Sequence, residues 1–362
     1  MWTDRRVLDL FGIELPIVQA PMAGSQTSDL AIAVAEAGGL GSLPCALLSF
    51  DQVRQEIDLF RQRTAKPLNV NFFSHVPPQP DPAREAAWKK RLAAYYAEFG
   101  IDPAAIPAGP GRAPFDEKLC ELMLEKRPEV LSFHFGLPER KLLERARACG
   151  AKIVSSATTV EEARWLEGRG CDAIIAQGNE AGGHRGMFLG DPLGEGLARQ
   201  PGTFALVPQV ADAVKVPVIA AGGISDGRGV AAALMLGASA AQIGTAYLLC
   251  PEARTGAVHR AALKGARDDA TALTNLFTGR PARGIVNRLM REAGPVNPDA
   301  PRFPLATGAV APLRAKAETQ GSGTFSPLWA GQAASLAREM PAGELTKKLA
   351  ADAAERLKAM GR

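Results

Sequence analysis

The chain has 362 residues, 46% of them hydrophobic and 22% charged, with a formal net charge of +4 at pH 7. The near balance of charge excludes the strongly basic footprint of a dedicated nucleic-acid binder, and the composition excludes intrinsic disorder. Glycine (37) and proline (27) exceed their usual share, which calls for many tight turns or for backbone shaped around a ligand. At about 150 residues per domain, the length suits two domains or one large barrel.

Eight short apolar runs read as buried strands. They are PIVQAPM (16–22), LGSLPC (40–45), PLNVNFF (67–73), VLSFHFG (130–136), KIVSSA (152–157), AIIAQG (173–178), PVIAAGG (217–223) and SAAQIGT (239–245). Val-, Ile- and Leu-rich runs separated by helical patterns mark parallel β/α units, whose strands are covered on both faces. Among the helices between them, one begins at Ser28 as a cap and stops at Gly38-Gly39. Another carries a capping box, Thr159 with Glu162, and a third runs from Asp226 as cap to Gly237 as stop. Eight units predict an α/β fold of the (β/α)8 TIM-barrel type over residues 1–250, with a doubly wound open sheet as the competitor.

Two stretches exceed the bare barrel. Residues 76–113 begin Pro-rich (VPPQPDP), continue as a helix (AREAAWKKRLAAYYAEF) and close on PAGPGRAP, which reads as an inserted lid segment. Residues 251–362 carry helical patterns at 256–267, 327–338 and 342–359 and read as a helical C-terminal extension packed on the barrel.

The five cysteines form no CxxC, and no His/Asp/Glu cluster has metal-ligand spacing, so neither a disulfide framework nor a metal is expected. The N-terminus alternates charged and apolar residues, unlike a signal peptide. The uncharged stretch between Arg228 and Glu252 is broken by Gly237, Ser239, Gln242, Gly244 and Thr245, and so reads as a helix and a strand rather than a membrane span. These features predict a cytoplasmic protein without membrane or nucleic-acid partners, monomeric or homodimeric.

In a barrel of this kind, function lies where strands end. The strand ends offer the Ala20-Pro21-Met22-Ala23 backbone, the amides Asn71, Gln177 and Gln242, and the loop Gly182-Gly183-His184. The last two strands end in Gly222-Gly223 and in Gly244-Thr245. Glycines after strands seven and eight suit a phosphate, because free backbone N–H groups and a helix N-terminus meet there. No GxGxxG follows the first strand, so a Rossmann dinucleotide site has no support. Buried amides could match a flavin's pyrimidine edge or hydrogen-bond loop backbone. His184, flanked by glycines, is the candidate general base. His134 reads equally as a substrate neighbour or a core histidine, and His259 as a surface residue of a charged helix.

The motifs QAPMAG, NVNFF, SFHFG, AQGNEAGGHRG, VIAAGGISDGRG and QIGTAYL, in this order, resemble the FMN-dependent nitronate monooxygenase family over about residues 6–340. The resemblance implies non-covalent FMN, with Ala20, Pro21, Met22 and Ala23 along the ring and Asn71 and Gln177 at its polar edge. It places Gly182 and Gly183 close by, and Gly222, Gly223, Gln242, Gly244 and Thr245 at the phosphate end. It implies oxidation of alkyl nitronates, such as propionate 3-nitronate, by O2 to a carbonyl compound and nitrite, as a detoxification, with His184 catalytic and His134 near the substrate. The alternative on the same barrel is an FMN-dependent NAD(P)H oxidoreductase, a quinone or enoyl-thioester reductase. A flavin- or phosphate-binding module without catalysis is a third reading, against which His184 argues.

Overall fold

A computed structural model describes residues 2–106 and 112–361. Of the closing stretch PAGPGRAP, residues 107–111 lie outside the described residues. The eight predicted strands all form, as β1 (Ile17–Gln19), β2 (Gly41–Pro44), β3 (Leu68–Phe73), β4 (Val130–His134), β5 (Lys152–Ala157), β6 (Ala173–Gln177), β8 (Val218–Ala221) and β9 (Ala240–Ile243). Every pairing among them is parallel, in the order β1-β9-β8-β6-β5-β4-β3-β2. A bridge between Val18 and Leu40 joins β1 to the start of β2, with Gln19 N donating to Leu40 O at 2.9 Å, and closes the barrel. Closure satisfies the backbone groups that an open sheet would leave at its edges.

The barrel interior holds Val18, Val130, Val154, Ile175 and Ile219, and the first helix, Arg6–Phe11, caps them with Val7, Leu8 and Phe11. The outer layer packs strands against helices through residues such as Leu30, Ile57, Phe72, Leu166 and Val230. All five cysteines are buried and unpaired.

Several local expectations are corrected. Ser28 is the first helical residue and does not cap; its N–H donates to Glu56 Oε2, at 2.7 Å, on the neighbouring helix. Thr159 caps its helix, accepting from Glu162 N at 3.1 Å, but the Glu162 carboxylate does not complete a capping box. It accepts instead from Thr158 N and Oγ1 and from Phe188 N, tying β5 to the loop after β6. Asp226 caps as expected, and Gly237 has the left-handed φ of +99°. The helix expected at 327–338 shrinks to a 3-10 turn, Ala334–Leu336, because Pro327 and Gly331 interrupt it and Trp329 bridges to Gly284.

The final helix, Ala342–Ala359, packs in the outer helical layer of the barrel. It lies between the helices Gly227–Met235 and Ser28–Glu36 and fills the eighth helical position of the barrel. A β-carbon on Gly227 would stand 2.4 Å from Asp352 Cβ, so glycine permits the close approach. Thr346 shares a 2.7 Å hydrogen bond with Tyr247 Oη below it.

The inserted segment and residues 270–325 pack on each other. Trp88, Tyr96 and Ile106 join Leu276, Leu289, Val310, Leu313 and Phe325 in a second core. Tyr96 Oη donates to Ala309 O at 2.7 Å inside it. Beside this core, β10 (Thr271–Thr274) and β11 (Ala282–Ile285) form an antiparallel pair, to which the two-residue strand β7 (Gly183–His184) adds. No described helix is long and apolar enough to cross a membrane.

Candidate active site

A cavity of about 190 Å³ opens at the C-terminal ends of the barrel strands. Every site residue predicted from sequence lines it: Ala20 to Ala23, Asn71, His134, Gln177, Gly182 to His184, Gly222, Gly223, Gln242, Gly244 and Thr245. The turn after β1 is set by Gln26, which sequence reasoning missed. Its Oε1 accepts from Met22 N at 2.9 Å and its Nε2 donates to Ser42 O at 2.6 Å.

Asn71 Nδ2 donates to Ser132 O and Oγ, at 3.2 and 2.9 Å. Gln177 reaches the cavity wall, but much of its amide is spent on loop backbone. Nε2 donates to His184 O at 3.0 Å and Oε1 accepts from Gly186 N at 2.8 Å, leaving one amide hydrogen unspent. Gln242 Oε1 is buried without a hydrogen-bond partner among the described residues. The backbone N–H groups of Gly223, Gly244 and Thr245 likewise donate to no described protein acceptor.

Two glycines are required by contact. Gly222 has φ +114°, and a β-carbon there would lie 2.9 Å from Thr203 Oγ1 and 3.0 Å from Ala181 N. A β-carbon on Gly182 would lie 2.5 Å from Gly331 N.

His184 is held from both ends. Its backbone pairs with Ala282 as a strand, and its Nε2 lies 3.0 Å from Thr278 Oγ1. The next residue anchors the loop: the fully buried Arg185 guanidinium donates to Gln177 O and Gln200 Oε1, both at 2.8 Å, and to Gly178 O. Burial, with the positive charge of Arg112 next in weight, holds the His184 imidazole well below the usual histidine range. His184 is therefore neutral at pH 7.

His134 lies directly beneath, with Nδ1 3.1 Å from Ser156 Oγ and Nε2 3.1 Å from His184 O. Burial holds its pKa at about 4. The neighbouring Phe135 adopts φ +71°, a conformation rare for a bulky residue, and turns the chain so that its ring packs on Phe73 and Phe303. His75 is buried among those rings and does not line the cavity.

His259 is corrected. Its helix, Ala257–Lys264, packs against the turns Thr245–Leu249 and Ala334–Leu336, so the side chain is half-buried and lines the cavity. Its Nε2 lies 3.0 Å from Trp329 O, and burial holds its pKa at about 4. Sequence reasoning also missed Arg112, Phe73, Trp329 and Gly331, because they reach the cavity from the insertion, from inside a strand, and from an irregular segment over the barrel mouth. No Asp or Glu is among the lining residues.

Three comparisons place this geometry. Residues 4–352 match the nitronate monooxygenase family. The chain is 46% identical to a nitronate monooxygenase of Pseudomonas aeruginosa over 349 residues, covering 96% of this chain and 98% of that protein. Its fold superposes on nitroalkane oxidase from Streptomyces ansochromogenes with a TM-score of 0.89 and 41% identity, covering 98% and 99% of the two chains. FabK from Thermotoga maritima is more distant, with a TM-score of 0.73 and 29% identity over 98% and 97% of the chains. A closed barrel whose strand ends converge on a neutral histidine and two glycine sites is thus matched across nearly its whole length, and the chain belongs to the nitronate monooxygenase family.

Proposed function

We propose that this oxidoreductase turns over alkyl nitronates, such as propionate 3-nitronate, with O2 to a carbonyl compound and nitrite, using FMN held without covalent attachment. The residues fit such a cofactor. The orphaned Gln242 Oε1 and the unspent amide hydrogen of Gln177 offer partners for a heterocycle's polar edge, as Asn71 would. The unbonded N–H groups of Gly223, Gly244 and Thr245, near the N-terminus of helix Gly227–Met235, suit a phosphate. The Ala20–Ala23 backbone, pinned by Gln26, and Gly182 and Gly183 would lie along the flat ring. When bound, FMN supplies an electron acceptor that O2 can reoxidise.

One observation carries the catalytic reading: a neutral His184 faces a cavity walled by Phe73 and Trp329 and free of carboxylates. Thr278 occupies Nε2, so Nδ1 is the nitrogen left to orient a nitronate or to accept the α-proton of a nitroalkane. The rings of Phe73, Phe135, Phe303 and Trp329 pack on the imidazole and restrict its rotation.

The test is O2 consumption and nitrite release with propionate 3-nitronate, with and without NADH, on yellow protein that releases FMN when denatured. Turnover independent of NADH is expected. Colourless protein that takes up no flavin, or absence of nitrite, overturns the reading. Rapid anaerobic bleaching by NADH would select the reductase alternative.

A further inference from the structure

Arg112 is the only Lys or Arg among the residues lining the cavity. Its guanidinium carbon sits 5.5 Å from the centroid of the Phe303 ring, and the His184 ring packs on that same ring with centroids 5.4 Å apart. Arg112 and His184 therefore both line the cavity and both contact the Phe303 ring, which lies behind its wall. No ion pair involves Arg112 among the described residues. The adjoining residues 107–111, Pro-Ala-Gly-Pro-Gly, contain no carboxylate.

Arg280, the second arginine whose charge acts on His184, is spent differently. Its guanidinium donates to Met187 O and stacks 4.0 Å from the Phe135 ring centroid. The lining histidines His134, His184 and His259 are neutral at pH 7. Burial lowers the Arg112 pKa only to about 10, so this side chain remains a cation. A half-buried cation without a counter-ion loses part of its hydration, and an anion brought beside it recovers part of that cost. A neutral nitroalkane recovers less of it, because its oxygens accept hydrogen bonds but carry no net charge.

We infer that Arg112 is the residue by which this cavity selects the nitronate anion over its neutral nitroalkane conjugate acid. The inference rests on the nitronate-oxidising reading above. It assigns the two side chains on Phe303 separate tasks: Arg112 reads charge, and His184 addresses the carbon and nitro oxygens. An arginine suits the task because a planar guanidinium can donate two parallel hydrogen bonds to the two oxygens of a nitronate.

The test compares wild type, R112M and R112K in steady-state kinetics with ethylnitronate and with nitroethane. It adds calorimetric titration with sodium nitrate, a planar anion that cannot react. In R112M, KM for ethylnitronate should rise about 10- to 100-fold, as expected for a lost charge-assisted hydrogen bond, with a much smaller rise for nitroethane. R112K should restore most of the nitronate preference, and nitrate binding should vanish only in R112M. Flavin content and melting temperature certify that the variants are folded; if R112M fails there, R112Q is read in the same way. An unchanged preference, or undiminished nitrate binding, in a folded uncharged variant overturns the role of Arg112. Wild type that releases no nitrite from ethylnitronate overturns the underlying function instead.

Discussion

His184 and Thr278 share a 3.0 Å hydrogen bond between imidazole Nε2 and Oγ1, across a gap of more than ninety residues in sequence. The threonine hydroxyl also lies 3.4 Å from Arg280 O, to which it can only donate. With the hydroxyl proton turned that way, its oxygen accepts Nε2–H and the lone pair stays on Nδ1. Thr278→Val should lower kcat about 3- to 10-fold, the range for one neutral hydrogen bond. The acid limb of the pH profile should shift while KM moves less, and Thr278→Ser should recover activity. Valine kinetics equal to wild type would remove Thr278 from the orientation of the ring.

His184→Asn should keep FMN bound and lose about 10²–10⁴-fold in kcat, the usual worth of a positioned base. Nitrite release and the flavin absorbance of the purified variant measure the two halves separately. Loss of flavin together with activity would make His184 structural.

Protonation of the buried histidines should set the acid stability. His75, His134 and His259 have folded-state pKa values of about 4, and His184 lies well below the ordinary 6.5. A depressed folded-state pKa means that the unfolded chain binds more protons between the two values. Stability is then fully present above about pH 6.5 and is lost as pH falls toward 4. The urea midpoint should be flat above pH 7 and decline across that window. His259→Gln, which can still donate to Trp329 O, should make the decline shallower; the same slope in both proteins would show that His259 is not charged on unfolding.

Gly222→Ala should be far worse than Gly100→Ala, although both glycines have positive φ. The left-handed penalty, about 1–2 kcal/mol, is common to both. Only at Gly222 does the new carbon meet backbone and Thr203; at Gly100 nothing lies within 4 Å. The ratio of flavin to protein absorbance should fall sharply for the first variant and stay at the wild-type value for the second.

Tyr96→Phe should cost about 1 kcal/mol, the net worth of one buried hydrogen bond, because Oη no longer donates to Ala309 O. Thermal unfolding monitored by the fluorescence of the four tryptophans would register the loss. An unchanged midpoint would mean that another donor replaces the hydroxyl.

The barrel was legible because its strands are apolar on both faces and each is bounded by turn residues, as in VLSFHFG and PVIAAGG. The site was legible where backbone is the working part: Gly222, Gly223 and Gly244 stand out because glycine has few reasons to cluster at strand ends. What depends on distant partners was not. Gln177 looks like a ligand amide, yet its hydrogen bonds go largely to the His184–Gly186 backbone. Nothing in the neighbourhood of His259 announces that a segment seventy residues on will cover it. Glu162 fits a capping box by spacing, but the N–H groups of Phe188 and Leu189 compete for its carboxylate. The second core was invisible for the same reason: Trp88 and Tyr96 lie on two consecutive helices, Pro82–Arg91 and Ala93–Glu98, which read as a single helix without saying what it faces.

The eighth barrel helix arrives last. The helices Ser28–Glu36 and Gly227–Met235 share a partner, Ala342–Ala359, that is separated from the last barrel strand by the whole of residues 251–341. At about 5–20 residues per second of synthesis, the ribosome exposes their apolar flanks for several seconds before that partner emerges. Until it emerges, the faces of those two helices that pack on Ala342–Ala359 have no partner, and a chaperone acting on the nascent chain is expected to bind there.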